Sequence, residues 1–222
     1  LAKRLDPVKA GRRLSNYQIA EMARNIEACA LQATYGWQDQ YSPVTGGGVK
    51  FMKYWPDSVG WHVEVNRIPM SPAHLAELEK CMVVCYSGIS RPAKHILDAV
   101  AEGVRTGRPE VVDALQGMNA CAEEIRRKLR TGAIHELGLL LSEVWALHKR
   151  LHPEVTNERI EELYALAMRA GACGGRVCGA GGGGAMVFIA SPNKEYALRN
   201  ALREADARVF DTSVDQQGLI IW

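Results

Sequence analysis

Long apolar runs are missing from this chain. CMVVCY (81–86) and AMVFIA (185–190) fall far below the roughly 20 residues that a membrane-crossing helix needs, so a soluble protein is expected. A surplus of charge is missing too. Lys and Arg total 27 against 25 Asp and Glu, a formal net charge of +2, which supplies no general attraction to nucleic acid or to a membrane surface; neither is expected as a partner. Any anion must then be held by local groups. The six cysteines form no CxxC pair and show no histidine-rich ligand spacing, which removes the usual zinc patterns. Residues 1–7 lack the basic start, apolar middle and cleavage site of a secretory signal. A cytoplasmic protein is therefore expected, with Cys29, Cys81, Cys85, Cys121, Cys173 and Cys178 as small core residues. There is no internal repeat, low-complexity tail or flexible linker. Finally, LAKRLD has no initiator Met and no capping residue, yet Leu1, Ala2 and Leu5 keep helical spacing, as though a helix were entered midway. An N-terminal portion ahead of Leu1 is expected.

What is present is enough apolar residue, 47% of 222 positions, to fill a sizeable core. Residues 14–33 place Ile19, Met22, Ala23, Ile26 and Ala30 at helical intervals after Ser15 or Asn16 as N-cap. A polar and glycine-rich segment follows, then strands at 49–55 and 61–68 around a turn. Ser71 and Pro72 open a helix over 71–80, and CMVVCYSG reads as a buried strand. Residues 90–152 predict three helices, broken near 106–109 and 131–132, and 156–170 a fourth, capped by Thr156 and stopped by Gly171. In the last third RVC, 185–190, 207–214 and 218–222 read as strands, with a helix over 193–205. Strands and helices are segregated, so the expected class is α+β.

Three stretches have chemical potential. GACGGRVCGAGGGG (171–184) holds eight glycines in fourteen residues, each of which costs about 0.5–1 kcal/mol relative to Ala in regular structure. It contains GxGxxG at Gly179, Gly181 and Gly184, but a dinucleotide fingerprint needs a helix directly after the glycines, and here the apolar AMVFIA reads as strand. A turn between two strands remains: either a crowded structural turn or one whose N–H groups approach an anion. GWQDQYSPVTGGG puts Asp39 between two glutamines, where a carboxylate can be oriented toward a hydroxyl or simply form a turn. In CYSGISRPAKHIL, Ser90 and Arg91 stand at a helix start, as an ordinary cap with a solvated Arg or as holders of a polar ligand.

The ordered combination of GWQDQY, YSGISRPAKHIL and LSEVWALHKRLHPEVTNERIEELYALAMRAGACGGRVCGAGGGG resembles the sugar-kinase branch of the galactokinase, homoserine kinase, mevalonate kinase and phosphomevalonate kinase (GHMP) superfamily. Within it the D-glycero-D-manno-heptose 7-phosphate kinases are most similar and the L-fucose kinases next, along nearly the whole chain. The resemblance implies an α+β GHMP-kinase fold, with 1–68 as the remainder of the N-terminal domain and 69–222 as the C-terminal domain of helices packed on an antiparallel sheet. It implies ATP-dependent phosphorylation of a sugar or sugar-phosphate hydroxyl, of the anomeric kind, with ATP and Mg2+ as cofactors. By position, Asp39 matches the catalytic aspartate and Glu27, twelve residues earlier, the Mg2+ ligand. Gly179, Gly181, Gly182, Gly183 and Gly184 match the glycine motif packed beside the nucleotide. Gln38, Gly46, Gly47, Ser90 and Arg91 match the substrate pocket, together with Arg176 where relatives carry Lys, a change that keeps charge and alters donor geometry. Relatives also carry a PxGxGSSA phosphate loop that these residues do not supply. The expected partners are thus a small sugar or sugar phosphate and, to complete the ATP cradle, an N-terminal segment or a homodimer mate. A noncatalytic binding module of the same fold is the rival expectation.

Overall fold

A computed structural model describes residues 14–31, 36–57, 60–90 and 94–220. The chain divides into two units, 1–67 with 214–222, and 68–213, so the second unit is inserted between two segments of the first.

In the first unit, α1 (Asn16–Leu31) starts with a reciprocal cap: the Ser15 amide donates to Gln18 Oε1 at 2.8 Å and the Gln18 amide to Ser15 Oγ at 3.2 Å. A short helix follows, α2 (Gln38–Val44), where the sequence reads as a polar approach to a strand. Strands β1 (Lys50–Asp57) and β2 (Gly60–Arg67) pair antiparallel, Lys50 opposite Arg67. Ala20, Tyr41, Val44 and Val63 are the buried centre of this unit, with Ile19, Trp37, Met52, Tyr54 and Val65 against them.

The second unit begins with α3 (Pro72–Cys81), which the Ser71 hydroxyl caps by accepting from the His74 amide at 3.1 Å, as expected. Next come β3 (Met82–Tyr86) and the helices α4 (Lys94–Arg105), α5 (Pro109–Thr131) and α6 (Glu136–Lys149). Gly132, at φ +78°, ends α5 in the left-handed region that glycine tolerates. A 3-10 turn, Pro153–Val155, leads into α7 (Glu158–Arg169). The cap of α7 is Asn157, whose side chain accepts from the Ile160 amide, not Thr156; the Thr156 hydroxyl donates instead to Glu161 at 2.7 Å.

Strands β4 (Ala172–Val177) and β5 (Ala185–Ala190), helix α8 (Glu195–Glu204) and strand β6 (Arg208–Phe210) complete it. The sheet order is β4-β5-β3-β6, antiparallel throughout. Helices α6 and α7 pack on β4, and α8 on β3 and β6. Val83, Trp145, Ile160, Phe188 and Leu198 are at most 1% exposed in its core. The strand expected over 207–214 is shorter, and 218–220 form no strand: Leu219 N donates to Pro43 O in α2 rather than to a ladder. The class is α+β. Among the described residues no helix is long and apolar enough to cross a membrane.

Candidate active site

A cluster of acidic residues lies in the first unit. Helices α1 and α2 are joined by two side-chain hydrogen bonds, from the Tyr41 hydroxyl to Glu21 at 2.6 Å and from the Gln40 amide to Glu27 Oε2. Burial first, then the Glu21 bond, pushes the Tyr41 phenol well above its ordinary pKa, so this link stays a neutral donor to a carboxylate. The Gln40 bond holds the Glu27 carboxylate against the residue that follows Asp39. Asp39 itself is exposed in the first turn of α2. Its charge reaches Tyr54, whose phenol is raised mainly by burial and secondarily by Asp39. Tyr54 packs on Trp37, ring centroids 5.1 Å apart, and the Arg24 guanidinium stands 4.6 Å from the Trp37 ring. An aromatic wall with one cation thus stands beside the carboxylate.

The donor set suits Mg2+. Glu27 offers hard oxygen, and Gln40, 9% exposed, keeps beside that carboxylate an Oε1 with no partner among the described residues, where a metal-bound water can donate. Mg2+ usually takes one or two carboxylates and leaves its other positions to water and phosphate, so Glu27 fits it. The described residues contain no converging group of three or more His, Cys, Asp or Glu.

The Gly46 and Gly47 pair has two different reasons to be glycine. Gly46, at φ +90°, faces open space, whereas a Cβ on Gly47 would stand 2.0 Å from the Gln216 carbonyl carbon. Gln38 is exposed at the start of α2.

The second unit carries the glycine-rich stretch, in the turn between β4 and β5. A strand follows Gly184 directly, so no helix N-terminus is there for a pyrophosphate and the dinucleotide reading is excluded. The turn is braced on two sides by main chain. Gly182 N donates to Val155 O at 2.6 Å and Gly184 N to Ile89 O at 2.8 Å, while Asn157 Nδ2 donates to Gly182 O at 3.0 Å. A Cβ on Gly181 would lie 2.5 Å from Val155 O, and one on Gly183 2.6 Å from Ile89 O. Only bare backbone allows both approaches. Gly179 and Gly184 have positive φ and open space. The amides of Gly179, Gly181 and Gly183 have no hydrogen-bond acceptor among the described residues, and so remain free to donate to an anion.

Through Ile89 the same turn carries Ser90, which is exposed; Arg91 lies outside the described residues. Arg176, on β4, is half-buried, and its Nε donates to the Val177 carbonyl at 2.9 Å. No carboxylate pairs with it among the described residues, and burial lowers its pKa, offset by Cys178. Next to it is His148 of α6, 4% exposed and against the Ala180 backbone of the turn. Burial first, then the charge of Arg176, brings its pKa down to about 4, so the ring is neutral at physiological pH. A cavity of about 650 Å3 runs along α5 beside Glu123, Arg126 and Arg130, and none of the expected site residues lines it.

Residues 122–208 match the family described as GHMP kinases C terminal. The chain carries a GHMP kinase C-terminal domain. It is 32% identical over 209 residues to the D-glycero-alpha-D-manno-heptose 7-phosphate kinase of Campylobacter jejuni, covering 94% of this chain and 60% of that protein. It is 28% identical over 204 residues to the bifunctional fucokinase/GDP-fucose pyrophosphorylase of Arabidopsis thaliana, covering 90% of this chain and 19% of that protein. Among solved structures, a sugar kinase from Campylobacter jejuni superposes with a TM-score of 0.70 at 30% identity, over 97% of this chain and 60% of that one. The chain thus spans at most about three-fifths of these GHMP relatives.

Sequence reasoning overlooked Gln40, Asn157 and His148. Asn157 carried a signal, since Asn ranks above Thr as a cap. Gln40 carried none, because its part depends on α2 turning it toward Glu27.

Proposed function

We propose that the protein is an ATP- and Mg2+-dependent kinase that phosphorylates a sugar or sugar-phosphate hydroxyl, of the anomeric kind and with a heptose 7-phosphate-like acceptor. One observation carries this reading: Gln40 docks the Glu27 carboxylate on α2 beside the exposed Asp39. That pair supplies two acids with separate tasks. Phosphoryl transfer asks a protein mainly for in-line positioning and for neutralised phosphate charge. Asp39 accepts the hydrogen bond of the acceptor hydroxyl and takes its proton as the oxygen attacks. Glu27 holds Mg2+, which when bound neutralises charge on the phosphate oxygens. In the second unit the free amides of Gly179, Gly181 and Gly183 donate to phosphate oxygens, with Gly182 and Gly184 keeping the turn in shape, and Arg176 adds an uncompensated cation. Gln38, Gly46 and Gly47 in the first unit, and Ser90 with Arg91 in the second, are the residues proposed to bind the acceptor. Likeness to a heptose 7-phosphate kinase and to a fucokinase supports the sugar class. The cytoplasm, where ATP is plentiful and thiols stay reduced, suits such an enzyme.

The test is a coupled ADP-release assay with Mg2+ and a panel of heptose 7-phosphate, fucose, galactose and mevalonate. Acceptor-dependent release with a sugar or sugar phosphate is expected, and Asp39→Ala should abolish most of it while the circular dichroism spectrum stays unchanged. Binding of a sugar without ADP release would point instead to a noncatalytic module of the same fold.

A further inference from the structure

Helix α2 has only seven residues and carries Asp39 at its second position, so its own hydrogen bonds cannot fix it. Its far end is held from elsewhere in the first unit, by the segment 214–219. Leu219 N donates to Pro43 O at 2.8 Å and Gly48 N to Asp215 O at 2.6 Å. Arg67 Nη2 donates to Gln216 Oε1 at 2.9 Å. The Asp215 carboxylate accepts from Gln217 N at 3.0 Å and Gly218 N at 2.7 Å, which closes the segment into a tight turn; these bonds hold the carboxyl below its ordinary pKa. Both surfaces are bare where they touch. Besides the Gly47 approach to Gln216, a Cβ on Gly218, at φ +77°, would stand 2.6 Å from the Gly46 carbonyl carbon and 2.7 Å from Pro43 O. So close a fit leaves α2 and its following turn few alternative positions.

We propose that residues 214–219 are a positioning strap for Asp39, clamping the C-terminal end of α2 so that the carboxylate is held where the acceptor hydroxyl must reach it. The inference rests on Asp39 being the catalytic carboxylate. Gly218 and Leu219 contact α2 and the turn after it and act through them, so they are positioning residues. In the purified protein, Gly218→Val should release the strap: the Gly48 and Leu219 amides, protected from hydrogen exchange in the wild type, should exchange freely. Turnover should fall about 10- to 100-fold, as expected for slight misplacement of a reacting group, with KM for ATP changed less than about twofold. Leu219→Pro, which deletes a single donor, should show a smaller fall with the same split, and serves if Gly218→Val does not fold. A strap of merely structural importance would lower thermal stability and leave the turnover of folded molecules unchanged. Exchange of both amides at full kcat therefore overturns the inference. Full turnover in Asp39→Asn, with the strap intact, refutes instead the catalytic reading of Asp39.

Discussion

Asp39 and His148 are ionisable groups in opposite circumstances. Asp39 is exposed and makes no hydrogen bond or ion pair among the described residues, so if it is the proposed general base Asp39→Asn should remove it at little cost in stability: a fall in kcat of about 10²–10⁴-fold with unchanged thermal unfolding. His148 is 4% exposed and its pKa is brought down to about 4 from 6.5. The unfolded chain therefore binds a proton near pH 6.5 that the folded chain refuses until about pH 4. Stability from this group is complete above pH 6.5 and is lost progressively as pH falls toward 4, about 2 kcal/mol of it between pH 7 and pH 5. Urea titrations across that range should show the decline, and His148→Asn should flatten it. At this scale the sequence offers candidates where chemistry depends on residue type and order. Glu27 and Asp39 stood out by their place in a familiar pattern, whereas His148 was one imidazole in a helical run, and only packing against Arg176 and the turn gives it a role.

The elements were readable wherever a cap, a proline or a glycine punctuates a long periodic run. Ser71 with Pro72, Gly132 and the alternation of AMVFIA mark their boundaries as the physics of caps and strands requires. Helix α2 was hidden because Pro43 lies inside it: proline cannot donate to the Asp39 carbonyl four residues earlier, and so reads as a breaker. The β4–β5 turn was recognised as glycine-rich, but not what its glycines approach, since Ile89 and Val155 meet them through main-chain atoms that no side-chain pattern records. Asn157 ties two elements at once, capping α7 and donating to Gly182 O. Asn157→Ala should cost about 1–2 kcal/mol for the lost cap and hydrogen bond, measured by denaturant midpoint, and it should raise KM for ATP while leaving KM for the sugar unchanged. Asn157→Asp keeps the cap and loses the donor, so it should restore most of the stability and little of the nucleotide affinity.

For the molecule as a whole, each unit has its own buried centre: residues of the second unit alone form the cluster around Val83, Trp145 and Phe188, and residues of the first alone that around Ala20 and Tyr41. Residues 68–213 expressed by themselves should therefore unfold in one cooperative transition, with the helical circular dichroism of the intact protein scaled to length. A broad, non-cooperative melt would show that this core needs the first unit. The α+β class was legible from the segregation of helical and strand patterns. The return of 214–219 was not, since GLIIW looks like any strand and its partners lie more than 170 residues earlier in the chain. That return fixes an order of events during synthesis. Domains tend to fold as they emerge from the ribosome, so the inserted unit can complete itself while Gly46, Gly47 and Gly48, made long before, still await Asp215 and Gln216. Of the two units, the one whose translation begins earlier is the one finished later.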